Sequence, residues 1–142
     1  MKIDKAVFGM GCFWGPQEYF DKIDGVLSTR VGYAGGIKPD PTYHDLGDHT
    51  EVVEVTFDPA KVSYGELLRR FWAEHDSTYQ NPPQYQSAIF YLNAAQEQAA
   101  RKTLADARER STRAVQTRLE PLKEFHEAEE YHQKYYQKCR LG

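Results

Sequence analysis

The apolar run Lys5-Ala6-Val7-Phe8-Gly9-Met10 breaks at Gly11-Cys12-Phe13-Trp14-Gly15, and Pro16 follows. A short apolar run bounded by glycine reads as a buried strand. Proline suits the first turn of a helix, whose amide hydrogens have no intrahelical partner. The chain therefore opens with a strand turning directly into a helix through Gln17-Glu18-Tyr19-Phe20, which commits it to layers of mixed secondary structure. The rest of the sequence keeps that alternation. Gly25 stops the helix, and Val26 to Tyr33 reads as a strand ending in Ala34-Gly35-Gly36. A loop rich in Pro, Asp and Gly leads to the clearest strand, Glu51 to Phe57, closed by Asp58-Pro59. Ser63-Tyr64-Gly65-Glu66 is a capping box ahead of Leu67, Leu68, Phe71 and Trp72 at helical spacing. Asn81-Pro82-Pro83 precedes a predicted strand from Gln84 to Leu92, and Asn93 caps a long helix to about Arg110. Ala114 to Leu119 reads as a weaker strand and Leu122 to near Lys138 as a last helix. The expected fold is α+β, a two-layer sandwich with helices covering a mainly antiparallel or mixed sheet, and 142 residues make one domain, 1–142.

The first junction is also the first chemical signal. A cysteine there meets free backbone N–H groups and the positive end of a helix, both of which favour thiolate, so Cys12 is expected below the ordinary thiol pKa. Its glycine neighbours open space around the sulfur, and Phe13 and Trp14 can wall an apolar pocket beside it. The competing reading is a buried packing thiol. In the strand Glu51 to Phe57, residues 51, 53, 55 and 57 share a face whose other members are Val53, Val55 and Phe57. Glu51 then sits at the mouth of the apolar side, where desolvation raises a carboxyl pKa and suits it to general-acid work. If the strand starts one residue later, Glu51 faces water instead. Tyr43, His44 and His49 lie in the loop before this strand, and His75-Asp76 follows the second helix. Their spacing matches no metal-ligand pattern, so neither a metal nor a cofactor is expected. Phe125, Ala128, Tyr131, His132 and Tyr135 recur every three or four residues as a core stripe that Cys139 would continue.

Composition narrows the partners. Net charge is −3 with both signs interspersed, which leaves no basic footprint for nucleic acid or an anionic membrane. The first ten residues carry no apolar run long enough for a signal peptide, and no segment is long enough to span a bilayer. A reducing, cytoplasmic setting is therefore expected, and a monomer is expected besides. The two cysteines, at opposite ends of the chain, form no disulfide framework but can meet as a redox couple. Ten tyrosines are a surplus that can furnish hydroxyl donors to a site.

Several segments together resemble the A-type peptide methionine sulfoxide reductases. They are Gly11-Cys12-Phe13-Trp14-Gly15, Gly32-Tyr33-Ala34-Gly35-Gly36, Pro41-Thr42-Tyr43, His49-Thr50-Glu51-Val52-Val53, Gln84-Tyr85-Gln86-Ser87-Ala88-Ile89-Phe90 and Ala128-Glu129-Glu130-Tyr131-His132-Gln133-Lys134-Tyr135. The resemblance runs over nearly the whole chain. It implies a ferredoxin-like α+β core and thiol-dependent reduction of methionine S-sulfoxide, free or in proteins. Cys12 would attack the sulfoxide sulfur, Glu51 would protonate its oxygen, and Tyr43 and Tyr85 would bind that oxygen. Phe13 and Trp14 would hold the methyl group. A Cys12 sulfenic acid would condense with Cys139 to a disulfide that thioredoxin reduces. Three departures from the family pattern stand out: a loop between Tyr43 and Glu51 about four residues shorter, Ser77 for the usual proline, and Asn81-Pro82-Pro83 for a glycine-rich stretch that carries a site aspartate. They favour slow turnover and admit an alternative, a thiol redox sensor or sulfoxide-binding module on the same fold.

Overall fold

The structure, a computed structural model, describes residues 2–141, without the side chains of residues 140 and 141. Strand β1 (Asp4–Gly9) leads into α1 (Trp14–Asp21), then β2 (Val26–Ala34), β3 (Thr50–Phe57), α2 (Tyr64–Glu74) and β4 (Ala88–Tyr91). These six elements form a β-α-β-β-α-β unit in which the strands lie in the order β4-β1-β3-β2, all neighbours antiparallel. That is the ferredoxin-like arrangement the resemblance implied. A long α3 (Ala94–Arg110) follows, and two short strands extend the edges. β5 (Arg118–Pro121) runs parallel to β4, and β6 (His126–Glu127) pairs antiparallel with β2. The chain ends in α4 (Tyr135–Leu141). No described helix is long and apolar enough to cross a membrane.

The two central strands explain the continuous apolar run at the N-terminus. β1 lies between β3 and β4 and is covered on both faces, so Ala6, Val7 and Phe8 are all buried and no polar alternation survives. On one face Phe8, Val53, Val55 and Phe57 meet Phe20 of α1, Leu67, Leu68 and Phe71 of α2 and Ala100 of α3. On the other, Val7, Ala34, Val52, Ala88 and Phe90 are covered by Leu122 and Phe125 from the irregular segment after β5. The helix starts at α2 and α3 follow the sequence expectation. Ser63 Oγ accepts the Glu66 N–H at 3.0 Å and Asn93 Oδ1 accepts the Gln96 N–H at 2.9 Å.

Three expectations are corrected. The strand from Gln84 is confined to Ala88–Tyr91, because Pro82-Pro83 opens a single 3-10 turn over Pro83–Tyr85 first. The strand expected over Ala114–Leu119 is instead Arg118–Pro121, placed by its pairing with β4. The helix expected from Leu122 to Lys138 does not form. That stretch holds β6, a 3-10 turn over Glu130–His132 and only then α4, with Lys134 in the left-handed region at φ 57°. Its apolar residues do not share one stripe: Phe125 packs on the second face, Ala128 joins the first core, and Tyr131 is 55% exposed. Tertiary contacts outcompete the helical periodicity here.

Gln133 shows how that segment is held. Its side-chain oxygen accepts the Val31 N–H at 3.0 Å, and its amide donates to the Val31 and Ala128 carbonyls at 2.9 Å each. It acts as one more strand residue at the edge of β2. The next residue's N–H donates to the buried Gln17 side chain at 2.7 Å, and Lys134 Nζ pairs with Asp21 at 2.6 Å. Gln133→Ala removes three hydrogen bonds and leaves the Val31 N–H unpaired, while the Val31 carbonyl keeps the Ala128 N–H at 3.0 Å. The expected loss of stability is about 2–4 kcal/mol, read from urea unfolding, and a loss under ~0.5 kcal/mol would deny Gln133 this role.

Candidate active site

The β1–β3 register sets Phe8 opposite Val53, so the start of β3 lies level with the turn that leaves β1. Gly11 makes that turn at φ 87°, a conformation that L side chains rarely adopt. Cys12 follows as a free thiol whose residue is exposed but whose sulfur is partly desolvated, and that sulfur accepts the Trp14 backbone N–H at the start of α1. The helix start thus favours thiolate, as the sequence suggested, but it does not prevail. Burial of the thiol and the charge of Glu51 together push the Cys12 pKa above its ordinary value. The expected depression is therefore corrected: at neutral pH Cys12 rests as a thiol.

Glu51 is fully buried, which settles the two alternatives for the start of its strand in favour of an inward side chain. One carboxyl oxygen accepts the Phe13 N–H at 3.1 Å and the other accepts the Gln84 amide at 2.5 Å. Burial outweighs both hydrogen bonds and raises its pKa, the direction a general acid near neutral pH requires. The 3-10 turn that replaced the expected strand start delivers this contact. It presents Gln84 to Glu51 and Tyr85 to Tyr43, and the Thr50 hydroxyl anchors it by donating to the Pro83 carbonyl at 2.7 Å.

Tyr43 and Tyr85 share a hydrogen bond between phenols. The Tyr85 pKa is pushed up to about 12 by burial, by the charge of Glu51 and by that bond, with a smaller contribution from Cys12. Tyr85 therefore keeps its proton and can donate. Phe13 is buried, with its ring 5.8 Å from that of Tyr33 and 5.3 Å from that of His132. Trp14, half-buried, stacks on Tyr135 at 3.8 Å with planes 10° apart. The Tyr135 phenol in turn hydrogen-bonds Cys139, which is exposed on α4. Both cysteines are free thiols; Trp14 gives its backbone N–H to Cys12 and stacks on the Tyr135 that hydrogen-bonds Cys139.

Four residues of this cluster escaped the sequence reading. Glu129 accepts from the Tyr33 hydroxyl at 2.8 Å, the Tyr43 N–H at 3.1 Å and the Tyr131 hydroxyl at 3.3 Å. Burial works to raise its pKa, but hydrogen bonds from its own N–H, Tyr33 and Tyr43 hold it below the ordinary range. Tyr33 lies opposite Glu51 in the β2–β3 ladder, and its phenol is pushed well up by burial and Glu129. Gln84 and His132 complete the set. Tryptophan can only donate, so the 3.1 Å contact from Trp14 Nε1 makes His132 Nδ1 an acceptor and leaves the proton on Nε2. That Nε2 is buried without a partner, a cost of about 1–3 kcal/mol. The signal for Glu129 and His132 was present in Ala128–Tyr135, but a helical reading assigns those residues to a stripe rather than to a site.

The loop histidines have other work. His49 accepts the Gly36 N–H at Nδ1 and meets the Lys38 carbonyl at 2.7 Å through Nε2, tying the glycine-rich loop. His75 bridges the Phe71 carbonyl and the Ser87 hydroxyl, both at 2.7 Å. No group of three or more potential metal ligands occurs among the described residues.

A thiol beside a buried carboxyl of raised pKa, two phenols and an aromatic wall is the equipment of a cysteine-based oxidoreductase. The family model described as peptide methionine sulfoxide reductase matches residues 4–141, and the chain belongs to that family. It is 49% identical over 150 residues to the peptide methionine sulfoxide reductase MsrA of Methanothermobacter thermautotrophicus, with 96% of this chain and 88% of that protein covered. Its fold superposes on reduced Mxr1 from Saccharomyces cerevisiae with a TM-score of 0.91 at 29% identity, covering 99% of this chain and 88% of the other. Mxr1 in complex with Trx2 superposes with a TM-score of 0.72 at 25% identity, covering 94% and 85%. The chain is accordingly an oxidoreductase of the methionine sulfoxide reductase kind.

Proposed function

We propose that Cys12 is the nucleophile of a methionine S-sulfoxide reductase, with Glu51 as the acid and Tyr43 and Tyr85 as donors to the sulfoxide oxygen. The observation that carries this reading is the buried Glu51 carboxyl, held by the N–H of the residue next to Cys12 and raised in pKa. A sulfoxide sulfur becomes electrophilic when its oxygen is protonated, and the Cys12–Glu51 pair holds the proton for that step. Phe13 and Trp14 offer the apolar surface for the substrate methyl. The sulfur of Cys12 gives up two electrons and takes the oxygen, becoming a sulfenic acid, while the sulfoxide leaves as methionine. The Cys139 thiolate then attacks the Cys12 sulfur and the hydroxyl departs as water, which leaves a Cys12–Cys139 disulfide. A thioredoxin-type dithiol restores both thiols by exchange, a partner supported by the Trx2 complex of Mxr1. The chain works as a single domain and a monomer in a reducing, cytoplasmic setting, with neither nucleic acid nor membrane in the reaction. The altered loop before Tyr85 does not weaken the reading, since it supplies Gln84 and Tyr85 to the cluster.

One turnover without reductant tests the whole scheme. Fully reduced protein mixed with S-methionine sulfoxide should release one methionine per chain, and the intact chain should become lighter by two hydrogens. A chain heavier by one oxygen would keep Cys12 and remove Cys139 from the cycle. No methionine and no mass change would leave a redox sensor or binding module instead. Cys139→Ser should leave this first turnover intact and slow thioredoxin-driven recycling at least tenfold; unchanged recycling would make Cys139 structural.

A further inference from the structure

The unpaired Nε2 of His132 calls for a reason, because a buried imidazole with one satisfied nitrogen is worse packing material than an aromatic ring of the same size. The ring sits among Tyr131 at 4.2 Å, Tyr43 at 4.4 Å, Phe13 at 5.3 Å and Trp14 at 5.6 Å, measured between centroids. Phenylalanine would suit those four neighbours. The one thing that histidine adds is the Nδ1 lone pair, and it is used: Trp14 Nε1–H donates to it at 3.1 Å. The tautomer that accepts from Trp14 is the one that strands a proton on Nε2.

We infer that His132 is a specificity-determining positioning residue, which sets the rotation of the Trp14 indole and so the shape of the pocket that takes the sulfoxide methyl. The inference rests on the proposed role of Trp14. The Tyr135 stack alone leaves the indole free to slide or turn in its own plane, since a parallel face-to-face contact has no directional bond. The hydrogen bond from Nε1 to a fully enclosed acceptor removes that freedom. Tyr43 also packs against the imidazole, so one ring touches both the methyl wall and a donor to the sulfoxide oxygen. His132 touches no reacting atom in this scheme and acts through Trp14.

Two substitutions separate the acceptor from the packing. His132→Phe keeps an aromatic ring and removes the acceptor; His132→Asn places its amide oxygen near the Nδ1 position and restores it. In wild type the Trp14 indole N–H, one of two indole resonances in a nitrogen–proton correlation spectrum, should lie downfield and exchange slowly. His132→Phe should move it upfield and speed its exchange at least tenfold, while His132→Asn should hold it near the wild-type position. In single turnovers, His132→Phe should raise the half-saturating concentration of methionine S-sulfoxide about tenfold, with the limiting rate changed less than threefold. Its preference for methyl over ethyl sulfoxide should fall, and His132→Asn should recover most of both effects. An unmoved resonance in His132→Phe, or equal failure of both variants in a folded protein, would overturn the inference. If wild type itself made no methionine, the proposed function would fall with it, whereas active wild type beside an unaffected His132→Phe would overturn the positioning role alone.

Discussion

Cys12→Ser yields a folded chain that releases no methionine above the uncatalysed background. The substitution exchanges sulfur for oxygen at a partly exposed position and leaves Gly11 to make its turn, so stability should change by no more than about 0.5 kcal/mol. The chemistry does not survive it. A serine hydroxyl holds its proton far more tightly than a thiol, and its oxygen cannot accept the sulfoxide oxygen as a stable two-electron product. The mutant should show the parent mass after incubation with substrate, and methionine should be undetectable by chromatography. Methionine formed by Cys12→Ser would transfer the nucleophile's role to another group, Cys139 first, and refute the mechanism.

Glu51→Gln should slow sulfoxide reduction by on the order of a hundredfold or more, the usual cost of losing a general acid, while substrate binding persists. The site can absorb the change. The glutamine oxygen still accepts the Phe13 N–H, and Gln84 can turn its amide so that its own oxygen faces the new donor. The pH profile is the sharper test. Cys12 and Glu51 titrate as a pair, and the working state holds one proton between them. With two protons no thiolate forms, and with none there is no acid. Wild-type kcat/KM should therefore rise through the Glu51 pKa, raised above the carboxylate range, and fall through the Cys12 pKa, raised above the thiol range. Glu51→Gln should lose the falling limb. Its small residual rate should climb with pH through a lower Cys12 pKa, because the neighbouring negative charge that raised it is gone. A bell retained in Glu51→Gln would assign the acid to another residue. Stability carries a matching sign. A carboxyl whose pKa is raised on folding binds more protons in the native state, so wild type loses stability as pH rises from the unfolded value through the folded one. Glu51→Gln should escape that loss and be no less stable than wild type at neutral pH.

What was legible in the sequence follows from the range of the forces involved. The caps at Ser63 and Asn93, the apolar runs of β1 and β3 and the break at Gly11 are decided within a few residues, and they stand where local chemistry puts them. The C-terminal third did not obey. Its three-to-four spacing is a true helical signal, yet Gln133 gains three hydrogen bonds on β2, and Phe125 and Ala128 bury themselves on opposite faces of the sheet. A single helix would forfeit both.

The candidate site divides along the same line. Cys12, Phe13, Trp14, Glu51, Tyr43 and Tyr85 could be named from residue type and motif, and the family to which the chain belongs was legible with them. Their ionisation could not be. The Cys12 thiol rises rather than falls because burial and a carboxylate 39 positions away outweigh the adjacent helix start. The sequence by itself determined which groups are available and which elements form around them. Only the tertiary structure decided that Gln84 and Phe13 grip Glu51, that Glu129 ties Tyr33 to the Tyr43 loop, and that His132 holds Trp14. Desolvation and hydrogen-bond partnership are set by neighbours in space, and the sheet brings those neighbours together from segments as much as 118 residues apart.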